Sequence, residues 1–431
     1  MLVTPAARIA GEITVPGDKS ISQRLALLCG IATGESVIHG FLRSEDCLHT
    51  LGAMTTLGAR AHFHSEECLH IEGNGGRFLQ PAGPLDLGNS GTGLRLLAGL
   101  VAGRPVEVTL TGDASLCSRP QRRIAEPLRR MGAEVALTEP AGTAPLRVRG
   151  GPLKGIDYDL PVASAQVKSA ILLASLWAEG TTRVREPAPS RDHTERLLRA
   201  MGVPVQSIGD TVILEGAGPA GFDLRGAEWR VPGDFSSAAF WFAAAAARPG
   251  AVVTVKQVGL NPRRTALLDV LRQMGAEVLV EPDPAGDAWE PVGQVTVRGR
   301  GLRAVEIGGE TIPNVIDELP VLAAIAALAE GETRIRNARE LRVKESDRIA
   351  VMADNLRRMG VAVEEYEDGL SVRGPASLKP AEDIHSRGDH RVAMAMAILA
   401  LHGTGPVVIQ QVQCVATSYP NFWKDLERLT R

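Results

Sequence analysis

The stretch VPGDKSIS at residues 15–22 occurs a second time, altered, as VPGDFSSA at residues 231–238. The second copy begins 216 residues after the first (231 − 15), which is half of this 431-residue chain. Pro-Gly and Gly-Asp are common turn sequences on their own, but the half-chain spacing favours duplication over coincidence. Only the first copy carries a cation, Lys19, where the second has Phe235. The pair therefore predicts a duplicated scaffold with one chemically specialised side.

A shorter repeat runs through both halves, in which an apolar residue is followed, after two residues, by Met or Leu, Gly and a small residue. The glycines of its five copies are Gly58, Gly132, Gly202, Gly275 and Gly360. The pattern is typical of a helix end, because the two apolar residues share a face and glycine readily takes the left-handed conformation there. Alternating stretches such as AEVAL (133–137) follow and predict strands. A spacing of roughly 72 residues predicts six units, and the sixth would end in WKDLERLTR (423–431), a helix without a following strand.

Helices and strands thus alternate, and the predicted fold class is α/β, with three repeats in each of two lobes. The two VPGD turns predict hinge crossings near 15–18 and 231–234. One lobe would span 18–232, and the other would combine 1–17 with 233–431. A cleft between such lobes is a usual place for a ligand site.

The composition is that of a globular protein, with 44% hydrophobic and 23% charged residues. A net charge of −3 and 4% aromatic residues give no sign of nucleic acid or of an anionic membrane as partner. The longest apolar stretches are about ten residues, whereas a membrane span needs ~20. Five cysteines without a CxxC motif favour a reducing compartment. We therefore expect a soluble, cytoplasmic protein.

In the segment GDKSISQR (17–24), Lys19, Ser20 and Arg24 stand at a predicted helix start, where free backbone amides favour an anion. The nucleotide-binding pattern GxxxxGK[ST] fails, because Asp18 stands where glycine is required. A solvated helix face remains the alternative for Lys19 and Arg24.

Glycine-rich GNSGTGLR (88–95) predicts a loop that opens a helix carrying Arg95, with Asn89 or Thr92 as the helix cap. Arg119 precedes proline and should be extended. Ser164, with Gln166 two residues later, precedes an apolar helix, where its hydroxyl suits either a ligand or ordinary N-capping.

In the second half, Asp317 lies at the head of an apolar helix, where acidic residues are common in any case. In VKESDR (343–348), Lys344 and Arg348 are predicted to share one helical face with Glu345 nearby. That face is either a solvated salt-bridge surface or an anion clamp with an acid–base group. Arg391 begins a further apolar helix.

One cluster resembles a metal site. Cys47 with His49 and Cys68 with His70 form two C-x-H pairs, which would each lie on one strand face. Zinc sites use longer gaps between ligands, so we expect strand-surface residues and no metal.

Seven motifs together resemble the enolpyruvyl transferase family, and above all its branch that acts on shikimate 3-phosphate. They occur in that family's order over essentially the whole chain: PGDKSISQR (16–24), GNSGTGLR (88–95), SRP (118–120), SAQVKSA (164–170), IDE (316–318), RVKESDR (342–348) and GDHRVAMA (388–395). The resemblance implies two lobes of three βαβαββ units each, which close over the substrates.

It also implies the reaction, in which the 5-hydroxyl of shikimate 3-phosphate adds to phosphoenolpyruvate and phosphate is then eliminated. Shikimate 3-phosphate would be held by Lys19, Ser20, Arg24, Ser164, Gln166, Asp317 and Lys344. Phosphoenolpyruvate would be held by Lys19, Gly91, Arg119, Gln166, Arg348 and Arg391, with Asn89 and Arg95 shaping the pocket. The implied catalytic residues are Lys19, Asp317 and Glu345. No metal or organic cofactor, no nucleic acid and no membrane is implied, and the protein would be a monomer.

Both substrates carry a phosphate and a carboxylate, so a dense local set of cations is what their chemistry requires. The sibling branch that acts on UDP-N-acetylglucosamine is the first alternative. That branch has Lys-Asn where this chain has Lys19-Ser20, and its reactive cysteine would fall at Ala114. A non-catalytic repeat scaffold is the second alternative, and it predicts charges spread over an exposed surface.

Overall fold

The computed structural model describes residues 1–284 and 289–431. The chain forms two compact units whose boundaries fall inside the two VPGD turns. The middle unit is Gly17–Val231, and the terminal unit combines Met1–Pro16 with Pro232–Arg431.

The α-helices of the described residues are, in chain order, α1 Lys19–Ile31, α2 Glu45–Thr56, α3 Gly91–Ala102, α4 Ala114–Ser118, α5 Arg122–Met131, α6 Ala165–Ser175, α7 His193–Ala200, α8 Phe235–Ala246, α9 Ala266–Gln273, α10 Ile312–Val315, α11 Leu319–Ala326, α12 Arg348–Arg358, α13 His390–Ala400 and α14 Phe422–Thr430. Short 3₁₀ helices span Gly218–Ala220, Gly309–Thr311, Arg339–Val343 and Val412–Thr417.

The strands are β1 Leu2–Val3, β2 Ala10–Thr14, β3 Glu35–His39, β4 Arg60–Phe63, β5 Cys68–Glu72, β6 Leu85–Asp86, β7 Glu107–Thr111, β8 Glu134–Thr138, β9 Thr143–Arg149, β10 Leu153–Lys154, β11 Asp157–Asp159, β12 Ala178–Glu179, β13 Thr181–Arg185, β14 Gln206–Ile208, β15 Thr211–Glu215, β16 Glu228–Arg230, β17 Val252–Gly259, β18 Glu277–Pro282, β19 Val292–Arg298, β20 Glu306–Ile307, β21 Gly331–Ile335, β22 Ala362–Tyr366, β23 Gly369–Gly374, β24 Ala381–His385 and β25 Val407–Gln410.

One sheet pattern recurs in both units. The middle unit has the four-stranded sheets β16-β3-β5-β4, β6-β7-β9-β8 and β11-β13-β15-β14, and the terminal unit has β2-β17-β19-β18 and β20-β21-β23-β22. In each, the first pair is parallel and the other two pairs are antiparallel. A short parallel pair, β10-β12, lies beside these sheets in the middle unit. The predicted α/β repeat is confirmed.

A three-stranded sheet of the terminal unit draws on both ends of the chain. It is the three-stranded sheet β1-β25-β24, in which Leu2–Val3 pairs antiparallel with β25. The Met1 amino group donates to the Ile409 carbonyl at 2.7 Å, and the Ile409 amide donates to the Met1 carbonyl at 2.8 Å. The predicted final helix is α14, and β1 from the start of the chain pairs with β25 in this sheet.

The five repeat glycines all end helices as predicted. Their φ angles are +106° at Gly58, +117° at Gly132, +86° at Gly202, +104° at Gly275 and +84° at Gly360. This left-handed region is one that residues with a Cβ rarely adopt. Each glycine therefore turns the chain from its helix into the strand that follows.

Three helices in each unit are buried along nearly their whole length. They are α1, α3 and α6 in the middle unit and α8, α11 and α13 in the terminal unit. Burial on nearly every side is typical of a helix enclosed by other elements. The three helices of a unit contact one another or are joined by side-chain hydrogen bonds. Within the described part of the chain, no helix combines the length and apolarity needed to cross a membrane.

Candidate functional site

The three buried helices of the middle unit each begin at a side-chain cap. Asp18 caps α1 by accepting from the Ile21 amide at 2.9 Å, and Ser90 caps α3 by accepting from Gly93 at 3.0 Å. Ser164 caps α6, accepting from Val167 at 3.4 Å. The expected N-capping by Ser164 is thus confirmed. The expectation that Asn89 or Thr92 caps α3 is wrong, because the intervening serine hydroxyl reaches the free amide.

Side-chain hydrogen bonds join the first turns of these three helices. Gln23 Nε2 donates to Ser90 Oγ, which joins α1 to the start of α3. Arg95 Nη1 donates to Gln166 Oε1 at 2.6 Å, which joins α3 to α6. Arg24 Nη2 donates to Ser169 Oγ at 3.0 Å, which joins α1 to α6. Three helix N-termini therefore lie together, and each favours an anion through its free amides and its dipole.

Lys19 and Arg24 are not on a solvated helix face. The Lys19 ammonium lies 2.9 Å from Asp46 Oδ2, and its side chain is 14% exposed. Arg24 is buried, with Nε donating to Thr194 Oγ1 at 2.7 Å and Nη1 to the Ser20 carbonyl at 2.9 Å. This arrangement excludes the solvated-face alternative for both cations.

Gly91 provides room for two guanidinium groups. A Cβ atom at this position would lie 2.9 Å from Arg95 Nη1 and 3.2 Å from Arg119 Nη1. Arg119 has the predicted extended backbone (φ −79°, ψ 141°), and its Nη2 donates to Asn89 Oδ1 at 2.5 Å and to Ser115 Oγ at 3.1 Å. Its buried Nε has no hydrogen-bond partner among the described residues. A buried donor beside a helix N-terminus suits an anionic ligand.

The terminal unit repeats the arrangement of three helix starts. Asp234 caps α8, and Asp389 caps α13 by accepting from the Arg391 amide at 2.9 Å. Ser236 Oγ donates to Glu318 Oε1 at the start of α11. Arg391 Nη1 donates to the Asp317 carbonyl at 3.1 Å, which joins α13 to α11.

Three guanidinium groups surround the Asp317 carboxylate. Its Oδ1 lies 3.4 Å from Arg348 Nη1 and 3.6 Å from Arg391 Nε, and its Oδ2 lies 4.0 Å from Arg264 Nη1. Opposite charges at these distances favour the ionised carboxylate. The side chain is 14% exposed, so a ligand can reach it. Asp317 is thus available as a charged hydrogen-bond acceptor.

Arg348 is the most enclosed cation of this group. Its Nε donates to Asp389 Oδ2 at 2.8 Å, and its Nη2 donates to Glu345 Oε2 at 2.6 Å. Burial lowers the pKa of Arg348, but Asp389, Glu345 and Asp317 outweigh that effect and raise the pKa above its ordinary value. The guanidinium therefore stays charged, and it also holds Glu345 in place.

The prediction that Lys344 and Arg348 share a helical face is wrong. Lys344 follows the 3₁₀ helix Arg339–Val343 with extended backbone (φ −85°, ψ −151°). Helix α12 begins only at Arg348, because Asp347 caps it by accepting from the Ala350 amide at 3.0 Å. Lys344 remains part of the cluster, since burial lowers the pKa of its ammonium, Asp317 raises it and Arg348 lowers it further.

The Cys/His pairs are only partly where they were expected. Cys68 and His70 lie on β5, but Cys47 and His49 lie in helix α2, which begins with two acidic residues. His70 Nδ1 lies 2.9 Å from a Glu35 oxygen. Across residues 1–284 and 289–431, no group of three His, Cys, Asp or Glu side chains is arranged to hold a metal ion.

A family model described as EPSP synthase (3-phosphoshikimate 1-carboxyvinyltransferase) matches residues 3–426. The chain belongs to the EPSP synthase family. It is 50% identical over 421 residues to the 3-phosphoshikimate 1-carboxyvinyltransferase of Methylococcus capsulatus, covering 97% of this chain and 94% of that relative. It is also 50% identical over 427 residues to the enzyme of the same name from Akkermansia muciniphila, covering 97% of each.

A solved EPSP synthase structure from Acinetobacter baumannii matches the fold with a TM-score of 0.86 at 43% identity, covering 100% of this chain and 98% of that one. The family resemblance drawn from the seven motifs is therefore confirmed. Membership in the EPSP synthase family also favours the shikimate 3-phosphate branch over its sibling.

The sequence did not single out several residues of this EPSP synthase family member that contact the predicted site residues or join the helices that carry them. Asp46 pairs with Lys19, Gln23 joins two helix starts, and Gln121 accepts from Arg95 Nε at 3.1 Å. Arg264 lies beside Asp317. Only Gln23 carried a signal, because it stands inside the GDKSISQR motif.

Proposed function

We propose that this protein transfers the enolpyruvyl group of phosphoenolpyruvate to the 5-hydroxyl of shikimate 3-phosphate and releases phosphate. In the shikimate pathway this step leads towards chorismate and the aromatic amino acids. The observation that carries the proposal is the gathering of buried cations at joined helix N-termini in each unit of a chain with net charge −3. Two dianionic or more highly charged substrates need such local fields, because the global charge repels them.

In the middle unit, we assign shikimate 3-phosphate to Lys19, Ser20, Arg24, Ser164 and Gln166. We assign phosphoenolpyruvate to Lys19, Gly91, Arg119 and Gln166, with Asn89 and Arg95 as the residues that shape its pocket. Helix amides and guanidinium groups bind phosphate and carboxylate in complementary ways, since guanidinium offers paired donors to two oxygens. Gly91 supports the assignment, because a side chain there would displace two guanidinium groups.

In the terminal unit, we assign Asp317 and Lys344 to shikimate 3-phosphate and Arg348 and Arg391 to phosphoenolpyruvate. Asp317 is the acceptor for the 5-hydroxyl proton. Its Oδ1 lies 3.4 Å from Arg348 Nη1 and 3.6 Å from Arg391 Nε. Glu345 lies beside Arg348 and is available for a second proton transfer.

The chemistry proceeds in two balanced steps. The 5-hydroxyl oxygen bonds to C2 of phosphoenolpyruvate while its proton passes to Asp317, and the methylene carbon gains a proton, for which Lys19 and Glu345 are the candidate donors. The resulting tetrahedral intermediate then returns a proton from the new methyl group to the residue that supplied it. The C2–O bond to phosphate breaks, its electron pair leaves with phosphate, and phosphate takes up the proton held by Asp317. Positioned acid–base groups of this kind typically contribute about 10²–10⁴-fold to a rate.

Phosphate release from phosphoenolpyruvate tests the proposal, with shikimate 3-phosphate and UDP-N-acetylglucosamine as separate acceptors. We expect release only with shikimate 3-phosphate. Release only with UDP-N-acetylglucosamine would move the chain to the sibling activity, and release with neither would favour a binding scaffold.

Asp317→Asn tests the assigned base. We expect kcat to fall by about 10²–10⁴-fold, because the amide cannot accept the hydroxyl proton. Glu310→Gln is the matched control, since Glu310 is an exposed acid in the same unit. Equal rates for Asp317→Asn and the control would remove Asp317 from the mechanism.

We also propose that the enzyme acts as a monomer in the cytoplasm. Among the described residues, Cys29, Cys47, Cys68 and Cys117 are free thiols, which supports a reducing compartment. Sedimentation equilibrium tests the first statement and cell fractionation the second. A stable dimer at micromolar protein, or recovery in a periplasmic fraction, would contradict them.

A further inference from the structure

Arg264 is a buried arginine that lies outside all seven motifs and faces the second VPGD turn. Its Nη2 donates to Ser236 Oγ at 2.8 Å and lies 3.5 Å from Asp234 Oδ1. Its Nη1 lies 4.0 Å from Asp317 Oδ2. The side chain is 4% exposed. One guanidinium thus spans from the turn to the carboxylate assigned as base.

The end of Arg264 that faces the turn is held in place. Asp234 accepts from the amides of Ser236 and Ser237 at 2.7 and 3.3 Å, so its carboxylate is fixed as the cap of α8. Ser236 Oγ also donates to Glu318, the residue next to Asp317. Because a guanidinium is planar, fixing Nη2 against these groups fixes the direction of Nη1 as well.

The two oxygens of Asp317 face different arginines. Arg348 and Arg391 lie against Oδ1, whereas Arg264 lies on the side of Oδ2. The first two are assigned to phosphoenolpyruvate, whose carboxylate and phosphate compete with Asp317 for them. Arg264 is assigned to neither substrate, and its side chain is 4% exposed beside the turn.

We propose that Arg264 is a positioning residue that holds Asp317 in the orientation needed to bind shikimate 3-phosphate. This inference rests on the function proposed above for Asp317. It also gives the second VPGD copy a task beyond the hinge, since Asp234 and Ser236 anchor the arginine.

A double-mutant cycle on the full-length protein tests the inference, with the dissociation constant of shikimate 3-phosphate measured by calorimetry. Arg264→Lys keeps the charge but cannot span both groups. We expect it to weaken binding about 10-fold in the unaltered background and less than about twofold in the Asp317→Asn background. Residues in one network show such non-additivity, whereas independent effects add.

Arg272→Lys is the matched control, because Arg272 lies at the exposed surface of α9 in an ion pair with Asp269, and we expect no change in affinity. If Arg264→Lys lowers the unfolding midpoint, Ser236→Ala carries the same cycle, since it removes the anchor and leaves the arginine. Equal losses in both backgrounds, or no loss, would overturn the inference. No binding of shikimate 3-phosphate by the unaltered protein would instead refute the proposed function.

Discussion

Lys168→Met in the middle unit would remove a cation that holds two buried carboxylates together. Lys168 Nζ lies 2.6 Å from Glu186 Oε2 and 2.8 Å from Glu195 Oε1. The three side chains are 0%, 3% and 1% exposed. Methionine has a similar length and is apolar, so the substitution removes the charge with little change in volume.

The expected loss in the free energy of unfolding follows from the two buried carboxylates that remain without their cation. Without Lys168, two carboxylates remain enclosed, and among residues 1–284 and 289–431 only Glu186 of the two keeps a side-chain donor, the Ser190 hydroxyl. Removing one partner of a buried ion pair typically costs about 3–5 kcal/mol. Total stabilities are of the order of 5–15 kcal/mol, so the loss is a large share. At about 2–4 °C per kcal/mol for a unit of this size, the midpoint should fall by about 6–20 °C.

Thermal unfolding and urea unfolding, both followed by circular dichroism, measure the fall in midpoint and the loss of free energy, with Lys154→Met as control, because Lys154 is exposed on β10. The double variant Lys168→Met, Glu195→Gln should recover about 1–2 kcal/mol, since it removes one of the two unpaired charges. A loss below about 1 kcal/mol for Lys168→Met, or a double variant less stable than the single one, would refute the reasoning.

Three further outcomes follow from the structure. Gly91→Ala should raise KM for phosphoenolpyruvate in steady-state assays while the fold persists, because its methyl group would press on Arg119 Nη1; an unchanged KM would contradict the assigned site. Burial lowers the pKa of His402 to about 4. The stability that its neutral form contributes is therefore complete above about pH 6.5 and is lost as pH falls towards 4. Over that range, urea unfolding should show that the free energy of unfolding falls by about 3 kcal/mol more in the unaltered protein than in His402→Gln. The Tyr419 hydroxyl donates to Asp425 Oδ2 at 2.8 Å, so Tyr419→Phe should destabilise the terminal unit by about 1–3 kcal/mol, and equal unfolding midpoints would argue against that bond.

Features that depend on near neighbours in sequence were predictable. Gly132 ends its helix because local backbone sterics favour glycine there, and Arg119 is extended because a proline follows it. Features that depend on distant pairing were not. Leu2–Val3 is too short to show a strand pattern, and its partner β25 lies some 400 residues away in the chain.

The residues of the candidate site also divide into those with a local sequence signal and those whose partners are distant in the chain. Its motif residues were candidates because charged and polar residues stand at predicted helix starts, and their roles came from the family resemblance. Asp46 was missed because an acid in the first turn of a helix has a sufficient local explanation, although its partner is Lys19. Lys344 was misplaced because the i, i+4 rule holds only within one helix, and the capping Asp347 starts that helix later.

Each of the two VPGD turns caps a buried helix, but the cation beside the cap comes from a different part of the chain in each case. Asp18 and Asp234 each cap a buried helix. In the first copy the cation is Lys19, one residue beyond the cap, whereas in the second that position is Phe235, which is 1% exposed in the core. The second copy still has a cation beside its cap, because Arg264 approaches from a different segment of the chain. The second turn therefore lacks a charged residue of its own, but it retains a cation beside its cap because another segment of the chain supplies Arg264.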